Sequence, residues 1–232
     1  MIYRETEKRS EHSEAQMTDA FLRCLRSRKG LPGVGPFWKV FQEVSCLRGR
    51  PDLIGIQKKD ASRLSPRLGH VGRLAESDSA VMSLLSARQP HSVKYLHQCS
   101  GFVLETVQKA LRRLCGKGLA HQTRNGTWLL ECSVDLSNLE VWAFELKIRN
   151  VRRAVFQAQQ YAMFAQRVCI VLPPQRAALI PKFEKALACW NIGVALFEPR
   201  SGAFELRVAP KRNIPVSRRH EVYALFGAVQ AG

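Results

Sequence analysis

Val141-Trp142-Ala143-Phe144-Glu145-Leu146-Lys147 is a strand-like run into which two charges intrude, and Gly49-Arg50-Pro51-Asp52-Leu53-Ile54-Gly55-Ile56 is a second apolar run that opens on an Asp. Side chains alternate faces along a strand, so Glu145 and Lys147 point to one side while Trp142, Phe144 and Leu146 point to the other. A carboxylate and an amine half-buried side by side, with a second carboxylate brought by another strand, is the chemistry of a divalent-metal site beside a positive charge.

The segment that follows extends the pattern. Residues 152–165 (Arg152-Arg153-Ala154-Val155-Phe156-Gln157-Ala158-Gln159-Gln160-Tyr161-Ala162-Met163-Phe164-Ala165) read as a helix with Gln157 and Tyr161 four apart on one face. An apolar strand, Val168-Cys169-Ile170-Val171-Leu172, comes next and is closed by Pro173-Pro174. Asp52, Glu145 and Lys147, with the Gln-x-x-x-Tyr helix directly after the Glu-x-Lys strand, resemble the signature of the PD-(D/E)xK phosphodiesterases, the restriction-endonuclease-like superfamily, and of its RecB and lambda-exonuclease-like branches in particular.

That resemblance implies an α/β fold, a mixed central sheet flanked by helices. It implies Asp52 and Glu145 as ligands of Mg²⁺ or Mn²⁺, the backbone carbonyl of Leu146 as a further ligand, and Lys147 as the group that positions a water or neutralises the phosphate. Gln157 and Tyr161 would orient the Glu–Lys pair or a phosphate. Glu43, nine residues before Asp52 on the preceding strand, reads either as an added carboxylate at the metal or as a solvent-facing strand residue. Glu14, on the first helix, ranks below it as a candidate of the same kind. Asp135, ten residues before Glu145, rivals Asp52; but Ser133-Val134-Asp135-Leu136-Ser137-Asn138 has the Ser and Asn of a loop, so Asp52, with its apolar strand, is preferred.

The chain's 232 residues allow one domain with a sizeable core, or a core plus a small module. A hydrophobic fraction of 46% and a charged fraction of 24% exclude disorder of the whole. The net charge of +17, from 36 Lys and Arg against 19 Asp and Glu, lowers the stability of the free fold by self-repulsion. A polyanion would offset it, nucleic acid being the first inference and an anionic membrane surface the alternative. No run is apolar enough to span a membrane or act as a signal peptide, so the expected location is cytoplasmic and nucleoid-associated. Seven scattered cysteines without a Cys-x-x-Cys pair read as reduced core thiols, six histidines form no ligand cluster, and no Walker-type loop points to ATP.

Three domain segments follow: a nuclease core in residues 1–57 and 138–232, and an inserted module in 66–131. The first part holds a helix over 13–28 and a hairpin of 38–47 with 52–56. The insert reads as three helices and a hairpin around Arg124-Asn125-Gly126, which resembles a winged helix-turn-helix. Its third helix, 104–115, offers Gln108, Lys109, Arg112 and Arg113 to DNA, with Arg124 at the wing tip. Nine basic residues against four acids make this block net +5. The second part is completed by a helix over 176–190, a closing hairpin of 192–197 and 203–208, and a basic tail with Lys211, Arg212, Arg218 and Arg219. The insert accounts for the 93-residue separation of Asp52 from Glu145.

The function expected on this basis is a metal-dependent DNA endonuclease acting on double-stranded DNA, since an inserted duplex-binding module suits internal sites. A non-catalytic DNA-binding regulator and an assembly subunit on a nuclease-like fold are the alternatives. A homo-oligomer or protein partners in a larger nucleic-acid complex remain open.

Overall fold

The computed structural model describes residues 13–27, 31–37, 39–47, 49–58, 74–131, 139–215 and 217–230. In chain order these carry α1 (Glu14–Arg26), β1 (Lys39–Gln42), β2 (Leu53–Lys58), α2 (Glu76–Leu84), α3 (Val93–Ser100), α4 (Leu104–Gly116), β3 (Ala120–Gln122) and β4 (Trp128–Leu130). Then come β5 (Leu139–Leu146), α5 (Val151–Tyr161), β6 (Arg167–Leu172), a 3₁₀ helix (Pro174–Phe183), α6 (Glu184–Cys189), β7 (Ile192–Glu198), β8 (Ala203–Val208) and α7 (Arg218–Gln230). The fold is α/β, as expected. None of the described helices is long and apolar enough to cross a membrane.

Six strands make a mixed sheet in the order β1-β2-β5-β6-β7-β8. The pairs β1/β2, β2/β5 and β7/β8 are antiparallel, and β5/β6 and β6/β7 are parallel. The two parallel joins are made by helical crossovers, α5 for one and the 3₁₀ helix with α6 for the other, as parallel strands require. Central strands β5, β6 and β7 are buried nearly throughout, which explains why they read as continuous apolar runs.

Alternation along β5 divides the core into two layers. Trp142, Phe144 and Leu146 pack with Leu53 of β2 against Met17, Phe21 and Leu25, the i, i+4, i+8 stripe of α1. Phe21 meets Phe144 edge-on at 5.5 Å and Phe197 at 5.1 Å. Ala143 and Val141 face the other way with Ile54 and Ile56, against Ala154, Ala158 and Tyr161 of α5. Helix α1 starts where Ser13 and Gln16 cap each other: the Gln16 N–H donates to Ser13 Oγ at 3.2 Å and the Ser13 N–H to Gln16 Oε1 at 2.9 Å.

The segment between β2 and β5 has the expected order, three helices and a two-stranded hairpin, and Gly126 turns between β3 and β4 with φ 77°. Its Leu111, Leu114 and Trp128 belong to the same buried cluster as Ile54 and Ile56, so the insert shares a core with the sheet.

Three expectations are corrected. The first strand of the hairpin ends at Gln42, because Glu43 takes a left-handed φ of 52° and turns the chain away. The helix over 176–190 is a 3₁₀ helix up to Phe183 and α-helical only from Glu184; Pro181 lies inside it and has no N–H to give. Residues 218–230 are not a tail but helix α7, whose Val222, Leu225 and Phe226 are buried and which packs on α2. Arg219 ion-pairs with Glu76 and lies over the Phe102 ring at 5.1 Å, joining α7 to the insert.

Candidate active site

Antiparallel register brings the charges together. Leu53 stands opposite Phe144, so Asp52, one residue before β2, lies beside Glu145, one residue farther along β5. The Leu146 N–H donates to Asp52 Oδ2 at 2.7 Å, fixing the carboxylate at the mouth of the strand pair. Glu145 points to the α5 face and is 1% exposed. There the Tyr161 hydroxyl donates to Glu145 Oε2 at 2.7 Å and also lies 3.2 Å from the Arg50 carbonyl oxygen. Gln157 lies one helical turn before Tyr161 on α5, and its buried Oε1 has no hydrogen-bond partner among the described residues.

Lys147 leaves the end of β5 and ion-pairs with Glu145 Oε1 at 3.0 Å and with Glu14 Oε2 at 3.2 Å. The other Glu14 oxygen accepts from the Ile148 N–H at 3.3 Å. Glu14, ranked low in the sequence, thus bridges α1 to the strand end; its only sequence signal was its place just after the Ser13 cap. Gly49 is needed in the preceding loop. Its φ is 84°, and a Cβ there would stand 3.0 Å from the Tyr161 ring.

Electrostatics follow from this crowding. Burial, followed by repulsion from Asp52, lifts the Glu145 carboxyl above its ordinary value, and Tyr161 and Lys147 offset only part of the effect. Burial also raises Asp52, with the Leu146 N–H and Lys147 acting the other way. For Lys147 burial acts downward, but the carboxylates of Glu145, Asp52 and Glu14 outweigh it and hold the amine above its usual range. Burial and the adjacent Glu145 raise Tyr161 far enough that it stays a hydrogen-bond donor.

A buried carboxylate and a half-buried one that repel each other, beside an ammonium, form a hard-oxygen site that a divalent cation would relieve. Mg²⁺ is commonly held by one or two carboxylates, with water and phosphate completing its shell. Asp52 and Glu145 fit that donor number; no group of three or more His, Cys, Asp or Glu arranged for a metal occurs among the described residues. Glu43 stands off: its exposed carboxylate pairs with Arg50, though its charge is felt at Asp52. Asp135 lies outside the described residues.

The proposed DNA-facing residues divide. Gln108, Lys109 and Arg112 are exposed on α4 and Arg124 on the β3–β4 turn, with Lys109 paired to Glu105 at 2.6 Å. Arg113 is engaged elsewhere. Its guanidinium donates to Asp78 Oδ1 at 2.9 Å through Nε and at 2.6 Å through a terminal nitrogen, and to Ser77 Oγ at 3.0 Å. It therefore ties α4 to α2.

Compared with models of protein families, with curated proteins and with solved structures, the chain matches none.

Proposed function

We propose that the chain is a metal-dependent DNA endonuclease of the PD-(D/E)xK type, with the segment from α2 to β4 acting as a winged helix that holds duplex DNA. One observation carries the proposal: Asp52, Glu145, Lys147 and Tyr161, drawn from distant parts of the chain, form one connected site. A helix, a three-strand meander, a helix and a parallel strand, in α1-β1-β2-β5-α5-β6, is the order the family resemblance implies.

Phosphodiester hydrolysis needs an attacking water and neutralisation of charge on the scissile phosphate. Asp52 and Glu145, with the Leu146 carbonyl as a further donor, would hold a divalent ion, Mg²⁺ or Mn²⁺, which when bound would supply Lewis-acid stabilisation and lower the pKa of an attacking water. Lys147 brings a full positive charge to the same mouth, where a phosphate oxygen gains negative charge in the transition state. Tyr161 fixes the Glu145 carboxylate, Glu14 fixes Lys147, and Gln157 stands one helical turn before Tyr161. Gln108, Lys109, Arg112 and Arg124 supply phosphate and base contacts for the duplex. The net charge of +17 favours such a partner in the cytoplasm or nucleoid. The linkage of Asp52, Glu145, Lys147 and Tyr161 weighs against a non-catalytic regulator.

The test is plasmid cleavage. Purified protein is expected to nick or linearise supercoiled DNA with Mg²⁺ and to stop when EDTA is added; no cleavage with Mg²⁺ or Mn²⁺ would overturn the proposal.

A further inference from the structure

Helix α5 follows the Glu-x-Lys strand and carries on its outer face a feature that the catalytic site does not use. Phe156 is 61% exposed. Arg152 and Arg153, four and three residues earlier on the same exposed face, stand beside it, and Arg149 precedes them. Between Glu145 and Glu184 the chain has no acid at all. Among the described residues no carboxylate pairs with Arg149, Arg152 or Arg153, and no cation covers the Phe156 ring.

The face adjoins the site. Phe156 is followed by Gln157, one turn before Tyr161, and one turn on by Gln160, whose Oε1 would stand 3.3 Å from a Cβ at Gly49 in the loop leading to Asp52. With a rise of about 1.5 Å per residue, the Phe156 and Tyr161 backbones lie roughly 7.5 Å apart along the helix axis, Phe156 on the outer face and Tyr161 on the buried one. A protein-docking surface would need apolar area around an exposed aromatic. Here the neighbours are Arg152, Arg153, Gln159 and Gln160, so the face offers one flat π-surface among unpaired cations. That is the combination that binds an unpaired nucleotide: the base stacks on the ring and its phosphates meet the guanidinium groups.

We infer that Phe156, flanked by Arg152 and Arg153, is a stacking platform for an unpaired base, so that the site takes DNA with a single-stranded segment next to the duplex. This rests on the nuclease proposal for the neighbouring site.

The experiment is fluorescence anisotropy in EDTA, where cleavage cannot intervene, using full-length wild type, Phe156→Ala and Phe156→Tyr. The probes are a blunt duplex and the same duplex with a single-stranded thymidine tail. Wild type is expected to bind the tailed DNA more tightly. Phe156→Ala should lose about tenfold on the tailed probe only, and Phe156→Tyr should keep the affinity. The inference is overturned if wild type shows no preference for the tail, if the Ala variant matches wild type on it, or if both probes weaken equally. A changed oligomeric state of Phe156→Ala in light scattering would also overturn it, since the ring would then cover a protein partner. Plasmid cleavage is scored separately: tail binding that depends on Phe156 in a protein that cuts nothing would defeat the nuclease proposal and leave the platform standing.

Discussion

Asp52 Oδ2 accepts a 2.7 Å hydrogen bond from the backbone N–H of Leu146, across 94 residues of chain. Leu146 lies between Glu145 and Lys147, so this one hydrogen bond sets the second carboxylate against both charged members of the site. It also uses one Asp52 oxygen and leaves the other for a ligand.

Glu145→Ala and Lys147→Ala are each expected to lower cleavage by at least roughly a hundredfold while duplex affinity stays near wild type, because transition-state charge stabilisation is lost and the insert is untouched. Asp52→Ala should be as inactive and also less stable by about 1–2 kcal/mol, since the Leu146 N–H is left without its acceptor. Asp135→Ala should cleave normally. Plasmid nicking rates and titrations in EDTA read both quantities, and full activity of the Glu145 and Lys147 variants would sink the assignment.

The raised carboxyl values give a pH signature. A folded value above the unfolded one, ordinarily 4.5 for Glu145, means that the folded protein binds the proton more tightly. The stability this group contributes is therefore full below its unfolded value and is lost as the pH rises through the folded value. Lys147 stays charged across that window, its own value being raised. In EDTA, Glu145→Gln is thus expected to melt at or above wild type at pH 7–8, with the difference shrinking toward pH 4.5. Mg²⁺ should raise the wild-type Tm and leave Glu145→Gln unmoved. A variant that melts well below wild type in EDTA at pH 8 would contradict the sign.

Much of this was legible in the sequence because it is local. Alternation in 141–147 told which side Glu145 and Lys147 take, and the Gln157 to Tyr161 spacing put both on one helical face. Asn125-Gly126 marked the hairpin at β3–β4. What failed depended on distant partners or on backbone not implied by composition. Glu14 gained its role only when α1 packed under the strand end. Arg113 looked like its neighbour Arg112 until Asp78 claimed it. The charges of 218–219 masked the buried Val222, Leu225 and Phe226 spacing that makes α7 a helix.

Tyr161→Phe separates positioning from packing. The ring is buried, so its apolar surroundings survive, but Glu145 and the Arg50 carbonyl lose a donor. A stability loss of about 1–2 kcal/mol is expected, with cleavage reduced roughly ten- to a hundredfold through kcat, KM staying near wild type. Gly49→Ala should damage the same hydrogen bond from the other side, by backbone strain and by a methyl group driven at the Tyr161 ring. If Tyr161→Phe cleaves like wild type, Glu145 does not depend on the phenol.

The insert offers a contrast between adjacent arginines. Asp78 is 1% exposed and its Oδ1 faces Arg113, so Arg113→Ala leaves a buried carboxylate without its cation. With Arg113 itself partly exposed, the expected cost is roughly 2–3 kcal/mol, below the upper range for buried pairs. Arg112 and Arg124 are exposed. Replacing both with Ala should leave the melting temperature alone, weaken duplex binding and flatten the plot of log affinity against log salt by about 1.8, at roughly 0.9 for each phosphate no longer neutralised. Thermal melts and titrations at several salt concentrations distinguish the two effects. A double variant with unchanged affinity and slope would assign the insert to protein binding and move DNA binding to the face around Arg149, Arg152 and Arg153.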